Sequence, residues 1–346
     1  MKVLVTGHDG YIGSVLTPLL KEAGHEVVGL DNRLYQGCDF GDVPEVETIA
    51  MDVRDVRPEH LEGFDAVMHL AAISNDPVGH LNPDVTYDIN HRASVTVAKA
   101  AKAAGVSRFI FASSCSLYGA ADNDTPLDEQ AAFNPVTPYG ESKVYAERDI
   151  REMADESFSP VFLRNATAYG ISPRQRGDLV IPNLTAFAYC TGEVKLESDG
   201  TPWRPLAHIR DISGAMIAAL QAPREAIHNE AFNVGRNEDN YQIRDIAKMV
   251  ERTVPDSRVT LSEGASPDKR SYRVSFDKIT TRLPGFEAKW TVERGVQEAY
   301  EAFRAADLQM EDFLSSRFIR LKRVEELIAA GELDGNSLRR NAKVEA

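Results

Sequence analysis

The fold is decided at the beginning of the chain, where residues 2–13 read KVLVTGHDGYIG. The first part of this stretch is rich in valine and leucine, as in a buried strand, and Gly7, Gly10 and Gly13 follow it. Aliphatic residues at helical spacing then continue over Tyr11–Ala23. A strand, a glycine-rich turn and a helix in this order predict the first unit of a dinucleotide-binding α/β fold.

The glycines allow the backbone to turn tightly and to approach a pyrophosphate, which unpaired N–H groups at the helix N-terminus then hold. Their spacing, G-x-x-G-x-x-G, departs from the G-x-G-x-x-G fingerprint, so a tight turn without a ligand is the alternative. Asp31 follows a second predicted strand, where a carboxylate accepts hydrogen bonds from the adenosine ribose and repels a 2′-phosphate. We therefore expect NAD as the cofactor, while Arg33 nearby leaves some tolerance for NADP.

The rest of the first half alternates short β-branched runs with helical patterns, which is typical of a parallel sheet covered on both faces. Besides Tyr11–Ala23, helices are predicted at His91–Ala104 and Tyr139–Met153. The predicted strands are Lys2–Thr6, Glu26–Leu30, Val46–Met51, Ala66–Leu70, Arg108–Ser113 and Pro160–Arg164. The pattern predicts a Rossmann doubly wound parallel sheet of six strands.

The second half is less regular, because prolines interrupt it at short intervals, and it predicts a smaller C-terminal α/β substrate lobe. Its last part is charged and helical, with Phe313, Phe318 and Leu321 on an amphipathic pattern. We expect those side chains to pack against the substrate lobe or a second subunit. The alternative is a helix that only caps its own chain. The expected organisation is an NAD-binding Rossmann domain at 1–168, a substrate-binding lobe interleaved with it at 169–308, and a C-terminal helical extension at 309–346.

Composition excludes several classes of protein. The 346 residues include 39 Lys and Arg against 53 Asp and Glu, a formal charge of −14, whereas a nucleic-acid binder needs a basic surface. No apolar run approaches the roughly 18 residues of a membrane span, and the first residues do not resemble a signal peptide. Cys38, Cys115 and Cys190 lie far apart and lack partners at metal-ligand spacing. We expect a cytoplasmic protein with free thiols, no metal, and no nucleic-acid or membrane partner.

A second set of residues can carry chemistry. Tyr139 and Lys143 are four residues apart on a predicted helix, so they share one face and the ammonium can favour the ionised phenol. A phenol with an ordinary pKa near 10 is a poor base at neutral pH without such help. Ser113 and Ser114 end a predicted strand, and the carboxyl ends of parallel strands face the ligand crevice in doubly wound folds.

These residues together resemble the extended short-chain dehydrogenase/reductase superfamily, in its NAD-dependent epimerase/dehydratase branch, which acts on nucleotide sugars in carbohydrate biosynthesis. The resemblance covers about residues 1–300. It rests on the glycine pattern, Asp31, Asp52, His69-Leu-Ala-Ala72, the serines before Tyr118-Gly119, Tyr139 with Lys143, Leu163-Arg-Asn-Ala-Thr-Ala-Tyr-Gly170, Val180-Ile-Pro-Asn183, and Asp199-Gly-Thr-Pro-Trp-Arg-Pro-Leu-Ala-His208 followed by Asp211.

The resemblance implies a role for each matched residue. Tyr139 would take a hydroxyl proton from the sugar, Lys143 would hold the nicotinamide ribose and lower the tyrosine pKa, and Ser114 would hydrogen-bond the reacting oxygen. The implied cofactor residues are Gly7, Gly10, Tyr11, Ile12, Gly13, Asp31, Asn32, Asp52, Val53, Leu70, Ala71, Ala72, Asn90, Ser113, Tyr139, Lys143 and Asn165. The implied substrate residues are Ser74, Ser114, Cys115, Ser116, Asn183, Arg204 and Arg270, of which the last three would hold the diphosphate, with Arg273 as an alternative to Arg270.

Members of this branch share an oxidation step and differ in the fate of the keto-sugar intermediate. A 4,6-dehydratase carries Asp-Glu directly after the serine or threonine, whereas this chain has Cys115 and Ser116, which cannot replace a carboxylic acid at neutral pH. The resemblance therefore favours an epimerase, acting at C4, that returns the hydride to the other face of the sugar. A 4-ketoreductase or a dehydratase is the alternative, and an NAD-binding module without catalysis is a remote one, because such proteins usually lose the Tyr/Lys pair.

The sugar and the assembly stay open. Thr167 stands where many relatives have Asn, and Asn165 stands where others have an aromatic residue, so a deoxyhexose, uronate or heptose nucleotide is at least as good a candidate as UDP-galactose. The family commonly dimerises through the two helices near His91–Ala104 and Tyr139–Met153. We expect a homodimer, although small apolar residues there suit the core equally well.

Overall fold

A parallel sheet at the centre of the molecule carries the candidate site. The computed structural model describes residues 1–120, 125–262 and 271–341. Its strands are β1 (Lys2–Thr6), β2 (Glu26–Asp31), β3 (Glu47–Ala50), β4 (Ala66–His69), β5 (Arg108–Ser114), β6 (Ser159–Asn165), β7 (Thr167–Tyr169), β8 (Glu193–Leu196), β9 (Trp203–His208), β10 (Ala231–Val234), β11 (Asn240–Gln242) and β12 (Arg258–Leu261).

Helices cover this sheet and build the second lobe. They are α1 (Gly13–Glu22), α2 (Asp76–Leu81), α3 (Pro83–Tyr87), α4 (Ser94–Ala103), α5 (Pro138–Arg151), α6 (Val180–Thr191), α7 (Ile209–Gln221), α8 (Arg224–Ile227), α9 (Ile243–Thr253), α10 (Asp277–Arg282), α11 (Val292–Ala305), α12 (Met310–Phe313) and α13 (Arg320–Ala329). A π-helical turn at Asp88–Ala93 leads into α4, so the predicted helix at His91–Ala104 starts with a wider turn.

The main sheet of the described chain has seven strands in the order β10-β6-β5-β4-β1-β2-β3, and each neighbouring pair is parallel. The prediction of a doubly wound Rossmann sheet is therefore confirmed, and each of the six predicted strands begins and ends within one residue of its expected bounds. The predicted strand count is too low by one. The seventh strand, β10, comes from the second half of the chain and pairs with β6, with Phe232 opposite Leu163.

Alternation along the strands feeds two cores, because successive side chains of a strand point to opposite faces. Val3 and Val5 of β1 pack with residues of α1 and α7 on one face. Leu4, between them, packs with residues of α4 and α5 on the other. Both faces of the sheet are thus buried, which is why its strands read as continuous apolar runs.

A smaller lobe is built from the second half. A three-stranded sheet has the order β11-β9-β7, and β8 pairs with β12 in parallel. Residues of α6, α9 and α11 pack against these strands in a core of their own.

The C-terminal segment packs on its own chain at two places. Phe313 and Phe318 join Phe303 of α11 and Ala186 of α6 in one apolar cluster. Beyond them α13 contacts α2, and its Val324 and Leu327 join the core that covers the Rossmann sheet. The sequence alone did not decide what this segment packs against. In the structure it contacts both lobes of its own chain.

No helix within the described ranges is long and apolar enough to cross a membrane. The same residues contain no cluster of three or more His, Cys, Asp or Glu side chains arranged around a metal. Cys38, Cys115 and Cys190 are free, as expected.

Candidate active site

A cavity of about 830 Å³ runs along the carboxyl ends of β1, β2, β4, β5 and β6. This is the edge of a doubly wound sheet at which ligands bind. The structure brings most of the predicted site residues to its wall. They are Gly7, Gly10, Tyr11, Ile12, Gly13, Asp31, Asn32, Asp52, Val53, Leu70, Ala71, Ala72, Ser74, Ser113, Ser114, Ser116, Tyr139, Lys143, Asn165, Asn183 and Arg204.

The glycine turn between β1 and α1 leaves no room for side chains. Gly7 has φ +72°, and a Cβ there would lie 2.7 Å from the backbone nitrogen of Ala71. A Cβ on Gly13 would lie 2.3 Å from the carbonyl oxygen of Gly7. The turn therefore brings bare backbone and the N-terminus of α1 to the cavity, as a dinucleotide pyrophosphate requires.

Asp31 ends β2 at the same cavity. Its carboxylate accepts backbone hydrogen bonds from Arg33 at 2.7 Å and Asp9 at 3.3 Å. Burial outweighs these bonds and raises the pKa of the carboxyl from 3.8 to about 6. The placement fits the predicted ribose contact, whereas Arg33 does not line this cavity and faces a neighbouring groove with His8.

Two predicted site residues, Asn90 and Cys115, do not line the cavity. Asn90 is fully buried, and its amide pairs with the backbone N–H and carbonyl of Ile73 at 2.7 and 2.9 Å. Asn90 therefore holds the loop that forms the cavity wall instead of reaching a ligand. Cys115 points into the core, donates to the carbonyl oxygen of Arg164 at 3.1 Å, and has its pKa raised by burial. The expected substrate contact of Cys115 is thus wrong. Arg270 lies outside the described residues.

Ser114, Tyr139 and Lys143 meet at the middle of the cavity. Thr137 caps α5 by accepting from the backbone N–H of Gly140 at 3.2 Å, which starts the helix one residue before Tyr139. The Lys143 ammonium is buried, donates to the carbonyl oxygen of Ala112 at 2.8 Å and lies 5.8 Å from the centre of the Tyr139 ring. The Ser114 hydroxyl donates to the Ser116 hydroxyl at 3.0 Å and lies close enough to the phenol to lower its pKa. A hydroxyl donor, a phenol and an ammonium therefore line one point of the cavity.

Burial dominates the titration of both catalytic candidates. It raises the pKa of the Tyr139 phenol, while the nearby Ser114 hydroxyl and the charge of Arg176 act in the opposite direction. It lowers the pKa of the Lys143 ammonium from 10.5 to about 8, against the attraction of the Glu147 carboxylate. Desolvation therefore acts on the phenol against the lowering of its pKa that is expected from Lys143.

A buried network behind these residues was missed by sequence reasoning. Glu147, one helical turn after Lys143, accepts from the Ser113 hydroxyl at 2.5 Å and from Arg164 Nη2 at 2.8 Å. Arg164 also donates to the Tyr118 hydroxyl at 3.1 Å. The one sequence signal for this network was the position of Glu147, which comes four residues after Lys143 on α5. The network fixes the ends of β5 and β6 against α5.

A second network also lines this cavity. Arg176 Nη2 donates to Asp178 Oδ2 at 2.5 Å, and Asn75 donates to the same oxygen at 2.6 Å. Arg176 Nη1 also donates to the Ser74 hydroxyl at 3.1 Å, so Ser74 reaches the cavity as predicted. The loop between β7 and α6, which carries Arg176 and Asp178, gave no pattern from which to predict them.

The expected diphosphate residues lie in the second lobe. Asn183, on α6, donates to the carbonyl oxygen of Gly177 at 2.9 Å. Arg204, on β9, donates to the carbonyl oxygen of Trp203 at 2.8 Å and is 9% exposed. Both line the same cavity as Tyr139, so a single ligand can span the two lobes.

A doubly wound sheet with a bare glycine turn, an acidic residue after β2 and a Ser/Tyr/Lys set at its carboxyl edge defines a dinucleotide-dependent enzyme that moves a hydride and a proton. The model of the NAD dependent epimerase/dehydratase family matches residues 3–235. A UDP-glucose 4-epimerase of Corynebacterium glutamicum is 31% identical over 265 residues, which are 72% of this chain and 79% of that protein. The chain belongs to the NAD dependent epimerase/dehydratase family, and it is an enzyme with NAD as its cofactor.

Solved structures agree with this assignment. A UDP-glucose 4-epimerase from Thermotoga maritima with UDP-glucose has a TM-score of 0.77 at 25% identity, covering 88% of this chain and 99% of that one. MoeE5 in complex with UDP-glucuronic acid and NAD has a TM-score of 0.77 at 27% identity, covering 88% of this chain and 100% of that one.

Proposed function

We propose that this enzyme is an NAD-dependent nucleotide-sugar 4-epimerase. The observation that carries the proposal is the meeting of Ser114, Tyr139 and Lys143 on one cavity, where the two positions after Ser114 hold no carboxyl group. Cys115 points away from the cavity, and Ser116 has an alcohol that is no acid at neutral pH. The side chains that the oxidation step requires are therefore present. The acid and base that a dehydratase carries at these two positions are absent.

Side chains of the protein accept and return the proton of the sugar hydroxyl. NAD, when bound, supplies a hydride acceptor that later gives the hydride back. The proton of the sugar hydroxyl passes to the Tyr139 oxygen, with the Ser114 hydroxyl close to the phenol. The Ser114 hydroxyl and the Arg176 charge stabilise the phenolate, which burial disfavours. In the return step Tyr139 gives the proton back to the keto oxygen.

Epimerisation further requires that the keto sugar turns over while its nucleotide stays bound. Asn183 and Arg204 lie on the second lobe and line the same cavity, so they can hold the diphosphate at a distance from Tyr139. UDP-glucose and UDP-galactose are the first pair to test, since a UDP-glucose 4-epimerase is among the relatives. Deoxyhexose, uronate and heptose nucleotides are the further substrates that Thr167 and Asn165 leave open.

The organisation of the chain follows from the same proposal. Residues 1–168 would form the NAD-binding domain, 169–308 the substrate lobe and 309–346 the extension. A homodimer through α4 and α5 would use exposed side chains such as Tyr145, because Val97 and Ala101 are buried in the core of their own chain. A cytoplasmic location suits the three free thiols.

The first experiment is to denature the purified protein without added cofactor and to count the nucleotide released. We expect NAD near one per chain, together with interconversion of UDP-glucose and UDP-galactose without external cofactor. Tyr139→Phe should keep the NAD and lose turnover, whereas Tyr145→Phe, exposed on the same helix, should keep both. An empty protein that binds NADPH more tightly than NADH would contradict the proposal and indicate a ketoreductase.

A further inference from the structure

The C-terminal extension reaches the cofactor cavity. Arg320, the first residue of α13, and Leu338 both line the cavity that contains the glycine turn, although they come after the last residue matched by the family model, 235. Arg320 is 3% exposed, and its guanidinium lies 4.0 Å from the centre of the Tyr35 ring. A buried cation is costly unless a hydrogen-bond acceptor or an anion satisfies it.

Arg320 is only partly satisfied by the protein. Its Nη2 donates to the carbonyl oxygen of Arg174 at 3.0 Å. Its Nη1 is buried and has no hydrogen-bond partner in the part of the chain that the structure describes. The neighbouring cations differ in that each has a carboxylate partner, since Arg174 pairs with Asp9 and Arg176 pairs with Asp178. No carboxylate of the described residues lies within ion-pair distance of Arg320.

The loop that contains Ser172 and Arg174 hydrogen-bonds both Arg320 and the glycine turn. The Arg174 side chain donates to the carbonyl and carboxylate oxygens of Asp9 at 3.2 and 3.0 Å, inside that turn. Two residues earlier, the Ser172 hydroxyl donates to the carbonyl oxygen of Tyr11 at 2.7 Å. Arg320 is therefore connected, through one loop, to the glycine turn and the N-terminus of α1.

We infer that Arg320 is a cofactor-binding residue whose guanidinium donates to the diphosphate of NAD, opposite the N-terminus of α1. An anion at this place would satisfy both the helix terminus and the buried guanidinium. The extension then completes the cofactor site from the far end of the chain. This inference rests on NAD as the cofactor and does not depend on which sugar reacts.

Binding of cofactor fragments tests the inference without any measurement of turnover. Titration calorimetry of the native protein and of Arg320→Gln, both first freed of retained nucleotide, with NAD, ADP and adenosine separates the diphosphate from the nucleoside. Loss of one hydrogen bond to a charged group should weaken NAD and ADP about ten- to hundredfold and leave adenosine within about twofold. Unchanged ADP affinity, or equal losses for ADP and adenosine, would overturn the inference.

A matched control lies one turn further along α13. Arg323 donates to the carbonyl oxygen of Gln36 at 3.2 Å but does not line the cavity. Arg323→Gln should leave the affinities for NAD and ADP unchanged, and an equal loss in both variants would mean that α13 merely holds the loop. If Arg320→Gln does not fold, Arg320→Lys keeps the charge and shortens the reach. A selective loss of ADP binding in that variant supports the inference, and a loss shared with adenosine refutes it.

Discussion

Replacement of Glu147 tests how the buried network supports Lys143, the lysine proposed to act in the reaction. The Glu147 and Arg164 side chains are 2% and 4% exposed, and three N–O contacts of 2.8, 3.1 and 3.2 Å join them. Glu147→Leu keeps the approximate volume but leaves the guanidinium buried without its anion. Breaking a buried ion pair from one side costs about 3–5 kcal/mol. The Ser113 hydroxyl also loses its acceptor, which adds about 1 kcal/mol.

The companion variants are Arg164→Met and the double variant. Replacing both members of a buried pair by apolar residues is often close to neutral, so the double variant should lose far less stability than the sum of the single variants. Urea denaturation followed by circular dichroism gives the three free energies of unfolding. A loss below about 1 kcal/mol for Glu147→Leu, or simple additivity in the double variant, would refute the reasoning.

The same substitution should change the pH dependence of turnover. Glu147 is the group that opposes the fall in the pKa of Lys143, which stands at about 8. A depressed pKa of a base means that the ammonium is lost as the pH rises through that value, so turnover of the native enzyme should fall above about pH 8. Without Glu147 this fall should begin at a lower pH. An alkaline limb at the same pH in both proteins would show that Lys143 does not titrate in this range.

Three further outcomes are expected from the geometry. Gly13→Ala places a methyl group 2.3 Å from the carbonyl oxygen of Gly7 and should abolish NAD retention on purification, whereas Gly214→Ala, with open space around it, should retain NAD and gain up to about 1 kcal/mol. Asp31→Ser should lower the NAD-to-NADP preference measured by fluorescence titration, and an unchanged preference would place the discrimination elsewhere. Deletion of 309–346 should lower Tm by several degrees, and an unchanged Tm would mean that its apolar contacts add no stability.

The sequence predicted the cofactor end well because local physics decides it. Bare glycines, a β-branched strand and an acidic strand end must lie close together in the sequence in order to bind one dinucleotide. The meeting of Tyr139 and Lys143 at the cavity could be predicted for the same reason, since they share one helix. The directions of their pKa shifts could not be predicted from the sequence, because desolvation depends on all the residues that pack around them.

The sequence failed to predict contacts that depend on the direction of a side chain or on a segment far away in the chain. Cys115 was placed at the right strand end, but it begins a tight turn and points to the Arg164 carbonyl instead of the cavity. Asn90 was placed near the right loop, but its amide is used up by Ile73. Arg320 lies about three hundred residues after the glycine turn, and no periodic pattern relates two segments so far apart.

The late arrival of β10 in the sheet has a consequence for the growing polypeptide. When residues 1–165 have left the ribosome, the edge of β6 still lacks the partner that residues 231–234 provide. An unpaired edge that carries Phe162 and Leu163 is a template for association with other chains. Nascent chains of this protein should therefore need protection by a chaperone until roughly the first two thirds of the sequence have been translated, and fragments that end before β10 should aggregate.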